Sequence, residues 1–258
     1  MRRSMTADTL TRPVFAANWK MHVGPSEAKA YMRRFLTHHA RRPDRTVVIF
    51  PPAASLHVVV DAIRDRPDVR AGVQNIHWEA KGAFTGEMSA EIAADAGASF
   101  ALVGHSERRH VFGETDEQTR AKCVAAFRAS LIPILCVGEK LDERERGETD
   151  RVVLRQLEAG LDGLDAAQAA NVVIAYEPVW AIGTGKTATP GDAAAVHRVI
   201  RTALSKRIGE RGGAVPILYG GSVNRENVRG LLDAGDVDGV LVGGASLDAE
   251  GWAAIART

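Results

Sequence analysis

Cysteine is scarce in this sequence: only Cys123 and Cys136 occur, and no C-x-x-C spacing joins them. A disulfide framework and a cysteine metal site are both disfavoured, and free thiols suit a reducing cytosol, so a cytoplasmic location is expected. Net charge is also nearly absent. Lys and Arg number 33 against 32 Asp and Glu, a formal +1, which gives no long-range field to gather nucleic acid or an anionic membrane. No apolar run approaches the roughly 18 residues that a membrane helix needs. Residues 1–12 carry Arg2 and Arg3 with no apolar segment behind them, unlike a signal peptide; they read as a short frayed lead-in, with Met5 as an alternative start. There is no H-E-x-x-H run, and His110 stands five residues from His105, a poor spacing for a shared metal, so neither metal nor cofactor is expected.

The chain has 258 residues, which fits an eight-stranded α/β barrel of about 250 residues, or two small domains. Eight short apolar runs recur, at 14–17, 46–50, 69–73, 100–103, 132–137, 172–176, 217–219 and 239–242. They are apolar almost throughout, the pattern of strands covered on both faces. Amphipathic stretches such as 115–130, 151–161 and 192–209 lie between them. Strand followed by helix, eight times over, predicts a closed (β/α) barrel or a large doubly wound sheet. No linker or low-complexity tract divides the chain, so one domain is expected over residues 13–258. The long connection 74–87 holds Trp78 and Phe84. Large apolar side chains on such a loop suggest a subunit interface, or rings folded back on the parent barrel.

Barrels of this kind carry their chemistry where strands end. Asn18 and Lys20 follow the first run, His105, Ser106 and Glu107 the fourth, and Glu177 the sixth. Glycine pairs, Gly220-Gly221 before Ser222 and Gly243-Gly244, follow the last two. A Glu at a strand end beneath an apolar cover is partly desolvated and suited to accept a proton. His105, just before a predicted helix, sits where the helix dipole opposes protonation, so its ring is expected neutral. Lys20 offers a fixed positive charge to an anion or a developing oxyanion. Exposed glycine amides suit a phosphate. Gly183-Thr184-Gly185-Lys186-Thr187 looks like the tail of a P-loop, but Trp180 stands where that motif needs glycine. The segment 178–186 reads instead as a lid.

Together these residues resemble the triosephosphate isomerase family. The resemblance rests on Asn18-Trp19-Lys20, the runs 82–87 and 104–109, all of 175–186, and 219–223 and 241–247, in the family's order. It implies a single-domain (β/α)8 TIM barrel that interconverts dihydroxyacetone phosphate and D-glyceraldehyde 3-phosphate in glycolysis and gluconeogenesis. It further implies Glu177 as base, His105 as electrophile, Asn18 and Lys20 as the substrate-binding pair, and Gly183, Ser222, Gly243 and Gly244 as phosphate ligands. Glu107 would support Lys20, and Cys136 would pack nearby. Thr85 would reach the neighbouring subunit's site, which implies a homodimer. The alternatives are a related isomerase of another small sugar phosphate, a Schiff-base aldolase and a nucleotide-binding module. The last two are disfavoured by Glu177 at the sixth strand end and by the broken P-loop spacing.

Overall fold

The computed structural model describes residues 10–182 and 188–258. Eight strands, β1 (Val14–Asn18), β2 (Thr46–Phe50), β3 (Val69–Val73), β4 (Phe100–Val103), β5 (Ile132–Val137), β6 (Val173–Tyr176), β7 (Ile217–Tyr219) and β8 (Gly239–Val242), run parallel in sequence order and close into a barrel. Closure is made by β1 on β8, where Val14 pairs with Gly239. A side chain at Gly239 would overlap the Val14 carbonyl, so the residue lets two backbones meet at the seam. The doubly wound alternative is thereby excluded. Observed strands differ from the expected runs by at most one residue at an end, as at Asn18 and Val173. Of the expected lead-in, residues 1–9, including Met1 and Met5, lie outside the described residues.

Alternate strand residues belong to two separate apolar clusters. Val14 and Ala16, Val48 and Phe50, and Ile132, Ile134 and Cys136 pack with other strand residues in the barrel interior. Phe15 and Ala17, Val47 and Ile49, and Leu135 and Val137 join helix residues such as Met32, Phe35 and Leu157 in the outer layer. Both faces of every strand are covered, which is why the sequence shows unbroken apolar runs rather than alternation.

Helices Pro25–His38, Asp116–Arg128, Thr149–Leu161 and Pro190–Ile208 form part of the outer ring. Their starts have local causes. Thr115 and Gln118 satisfy each other's amides as a capping box, and Thr189 and Asp192 do the same ahead of Pro190, whose missing N–H costs nothing at the first helical position. In the 74–87 connection, Trp78 stacks on His77 with ring centroids 4.2 Å apart and packs against the core, whereas Phe84 stays exposed.

Candidate active site

The strands' C-terminal ends deliver the polar residues to one mouth, around a cavity of about 560 Å³. Asn18, Lys20, His105 and Glu177 line it together with Ser222, Gly243 and Gly244. Each side chain is held by a specific partner. Glu177 follows β6, and its carboxylate accepts the Ser106 amide at 2.8 Å and lies 3.0 Å from His105 Nε2. Ser106 Oγ approaches the same carboxylate at 3.4 Å. His105 caps the helix Ser106–His110, its Nδ1 accepting the Glu107 amide at 3.3 Å. Asn18 Nδ2 stands 3.2 Å from His105 Nε2, while Asn18 Oδ1 accepts the Lys20 amide at 2.9 Å.

Lys20 takes a φ of 49°, a left-handed conformation that non-glycine residues seldom adopt. Three contacts hold it there: the Asn18 side chain, Gln74 Nε2 donating to its carbonyl at 2.8 Å, and Glu107 Oε1 at 2.8 Å from its ammonium. The carboxylate of Glu107 thus fixes the direction of a charge that faces the cavity.

Glu177 and His105 are both buried and their protonation is coupled. Burial disfavours the charge on Glu177, but the His105 ring, the Ser106 amide and Lys20 outweigh it and hold the carboxyl below its usual range. Burial likewise disfavours an imidazolium at His105, while the adjacent Glu177 carboxylate and then Glu107 raise the ring's proton affinity above its ordinary value. The neutral ring expected from a helix dipole is therefore opposed by Glu177 in this arrangement, and the helix concerned has only five residues. Nδ1 nevertheless acts as an acceptor, which leaves Nε2 as the ring's donor.

The glycines fit close approach. A side chain at Gly220 would press on Glu177 Cγ at 2.8 Å, and one at Gly243 would meet Lys20 Cε at 3.1 Å. Gly244 faces open space. Cys136 lies under the site in the barrel interior, and burial, with Glu177 adding to it, pushes its thiol well above the ordinary value. Thr85 is exposed on the loop after β3 and does not line the cavity. Gly183, and with it 183–186 of the expected lid, lies outside the described residues. Among the described residues, no group of three or more His, Cys, Asp or Glu is arranged to hold a metal ion.

Sequence reasoning overlooked Gln74 and Glu139 here, and it placed Ser106 at the strand end without giving it a role. Gln74 bridges Lys20 and the Phe50 carbonyl, and Ser106 anchors Glu177. Glu139, fully buried after β5, accepts the Trp180 indole N–H at 2.9 Å and the Tyr176 hydroxyl at 3.2 Å. Burial raises the Glu139 carboxyl. Only Ser106 had a local signal, its place in the His105-Ser106-Glu107 run.

Fold and cluster define a class: a (β/α)8-barrel enzyme with its chemistry at the C-terminal mouth. The family model for triosephosphate isomerase matches residues 13–258. The triosephosphate isomerase of Moorella thermoacetica is 48% identical over 248 residues, covering 95% of this chain and 98% of that one. That of Solibacter usitatus is 47% identical, covering 95% and 99%. The crystal structure of the Bartonella henselae triosephosphate isomerase superposes with a TM-score of 0.86 at 40% identity, covering 95% of this chain and 98% of its own. The chain belongs to the triosephosphate isomerase family.

Proposed function

We propose that the chain interconverts dihydroxyacetone phosphate and D-glyceraldehyde 3-phosphate, the step that joins the two triose phosphates in glycolysis and gluconeogenesis. One observation carries the reading: the His105 imidazole nitrogen lies 3.0 Å from the Glu177 carboxylate and 3.2 Å from the Asn18 amide, beside the Lys20 ammonium, on a cavity also lined by glycines. The phosphate settles on the amides of Ser222, Gly243 and Gly244, with Gly183 contributing from the lid and Lys20 from the wall. Glu177 turns from the Ser106 amide into the cavity, losing the contacts that depress its basicity, and removes a proton from C1.

That same movement settles the histidine. With the carboxylate withdrawn, the main influence raising the ring's proton affinity is gone, and burial together with the amide at Nδ1 keeps the imidazole neutral. Its Nε2–H donates to the carbonyl oxygen at C2, so the electron pair left by the C1 proton comes to rest as an enediolate facing His105 and Lys20. A proton passes from the C1 hydroxyl to O2 through the ring, and Glu177 returns its own proton to C2, giving the aldehyde at C1. Exclusion of water by the lid keeps the enediolate from expelling phosphate. All steps are proton transfers within one substrate and call for no metal or cofactor.

The reading extends to a homodimer in the cytoplasm, with Thr85 completing the partner's site and residues 13–258 acting as one domain. A dehydrogenase-coupled assay on dihydroxyacetone phosphate, without added metal, tests the activity. Glu177→Asp, which withdraws the carboxylate by about one methylene, is expected to keep the fold and lower kcat by at least ~100-fold. An unchanged rate would remove Glu177 from the role, and activity confined to a longer sugar phosphate would favour the related-isomerase reading.

A further inference from the structure

Tyr31 belongs to the helix Pro25–His38, on the outer layer and away from the cavity lining, yet its hydroxyl donates to the Ser246 carbonyl at 2.6 Å across 215 residues of sequence. Ser246 closes the turn that carries the Gly243 and Gly244 amides: its own amide and hydroxyl both bind the Gly243 carbonyl, at 2.8 and 2.7 Å. The other end of Tyr31 is equally committed. Its ring packs edge-on against Trp19, with centroids 4.5 Å apart, and Trp19 sits between Asn18 and Lys20 in the chain. One buried side chain therefore spans from the loop that bears the ammonium to the turn that bears the amides.

Beside Tyr31 lies a surface hollow of about 430 Å³, lined in part by His22, Leu247 and Asp248. Removing the hydroxyl would leave the buried Ser246 carbonyl without its donor and give the turn room to shift. Gly243 also lies beside the Lys20 side chain, close enough that a methyl group there would come within 3.1 Å of Lys20 Cε, so a shift of the turn would alter the space around both halves of the anion site.

We propose that Tyr31 is a positioning residue for the phosphate cradle, setting the direction of the Gly243 and Gly244 amides through Ser246 while bracing the Asn18–Lys20 loop through Trp19. The inference rests on the isomerase reading for the identity of the phosphate ester, but the anion site itself can be probed without it. Tyr31→Phe retains the ring and its edge-on packing against Trp19 and removes the hydroxyl, with its bond to the Ser246 carbonyl and its approach to the Trp19 side chain. The expected result is a KM for dihydroxyacetone phosphate raised about three- to tenfold with kcat changed less than about twofold, the size of one lost hydrogen bond felt in ligand binding. The dissociation constant of inorganic phosphate, followed by calorimetry, should weaken by a similar factor, and turnover of unphosphorylated glyceraldehyde should not change. An unaltered KM and phosphate affinity overturns the proposal even if the variant melts at a lower temperature, since that is what a purely structural tyrosine would show. If the wild-type protein turned over no triose phosphate, the isomerase reading would fail by itself. The phosphate titration of wild type against Tyr31→Phe would still decide the positioning role.

Discussion

At the scale of single residues, the site depends on places where a side chain is missing as much as on those where one is present. Gly138 follows β5, and a methyl group there would overlap the Glu177 carbonyl, because Glu177 N–H reaches across to the Val137 carbonyl at 2.7 Å. The buried Gln156 secures the same glycine, accepting its amide at 2.7 Å and donating to its carbonyl at 3.2 Å. Gly138→Ala must therefore force the ends of β5 and β6 apart, overpacking that typically costs about 1–3 kcal/mol and here moves the base as well. Thermal denaturation should show a lowered Tm, and kcat should fall at least ~10-fold from displacement of Glu177. A variant with native Tm and native kcat would mean the strand ends part freely, and the argument from close approach would fail.

At the scale of elements, local sequence decides where helices begin, and packing decides the rest. The Asp116–Arg128 helix owes its start to Thr115, whose hydroxyl accepts the Gln118 amide at 3.2 Å while Gln118 answers at the Thr115 amide at 3.1 Å. Thr115→Ala is expected to remove about 1 kcal/mol of stability in a urea titration and leave kcat unaltered. No loss would show that packing alone sets that terminus. The same distinction explains what could be read from the sequence. The eight strands were legible because a parallel barrel buries both faces, and the polar residues closing each strand, Lys20, His105 and Glu177, announced themselves by position. Gln74, Glu139, Gln156 and Tyr31 did not. Each works through a hydrogen bond to a group brought near by the barrel's curvature, 54 residues away for Gln74 and Lys20 and 18 for Gln156 and Gly138, with no motif to mark it. What the sequence could not show for His105 is its neighbour: a helix dipole is visible in sequence, whereas a carboxylate 3.0 Å away that favours the ring's proton is not.

For the whole molecule, burial bears on two quantities, the pH limit and the assembly. His197 is fully buried, its Nδ1 2.9 Å from the Asp236 carbonyl, and burial lowers its pKa to about 4. The unfolded chain takes up that proton near its ordinary 6.5 and the folded chain does not, so stability is full above pH 6.5 and is lost progressively as pH falls toward about 4. The loss should approach ~3 kcal/mol for this residue. The buried His39, also lowered to about 4, loses stability over the same range, so His197→Gln should reduce that part of the pH dependence of urea unfolding rather than abolish it; a wild-type curve flat from pH 7 to 4 would contradict it. For assembly, the relevant surface is what the single barrel leaves uncovered. Met21, Val111, Phe112 and Phe84 are 94%, 72%, 66% and 43% exposed, all on loops leaving the C-terminal ends of β1, β3 and β4. Scattered apolar residues need no partner, but four large ones on the loops of one barrel end are what an interface presents. Phe112 is held in place by the Arg108 guanidinium 4.5 Å over its ring, which would offer a partner a rigid anchor. Sedimentation should give twice the 27.6 kDa chain mass, and Phe112→Asp, which would bury an unpaired carboxylate, should shift the protein to monomer. If Thr85 serves the partner's site, activity should fall with the dimer and recover as protein concentration rises. A Phe112→Asp protein that stays dimeric and fully active would place the contact surface elsewhere.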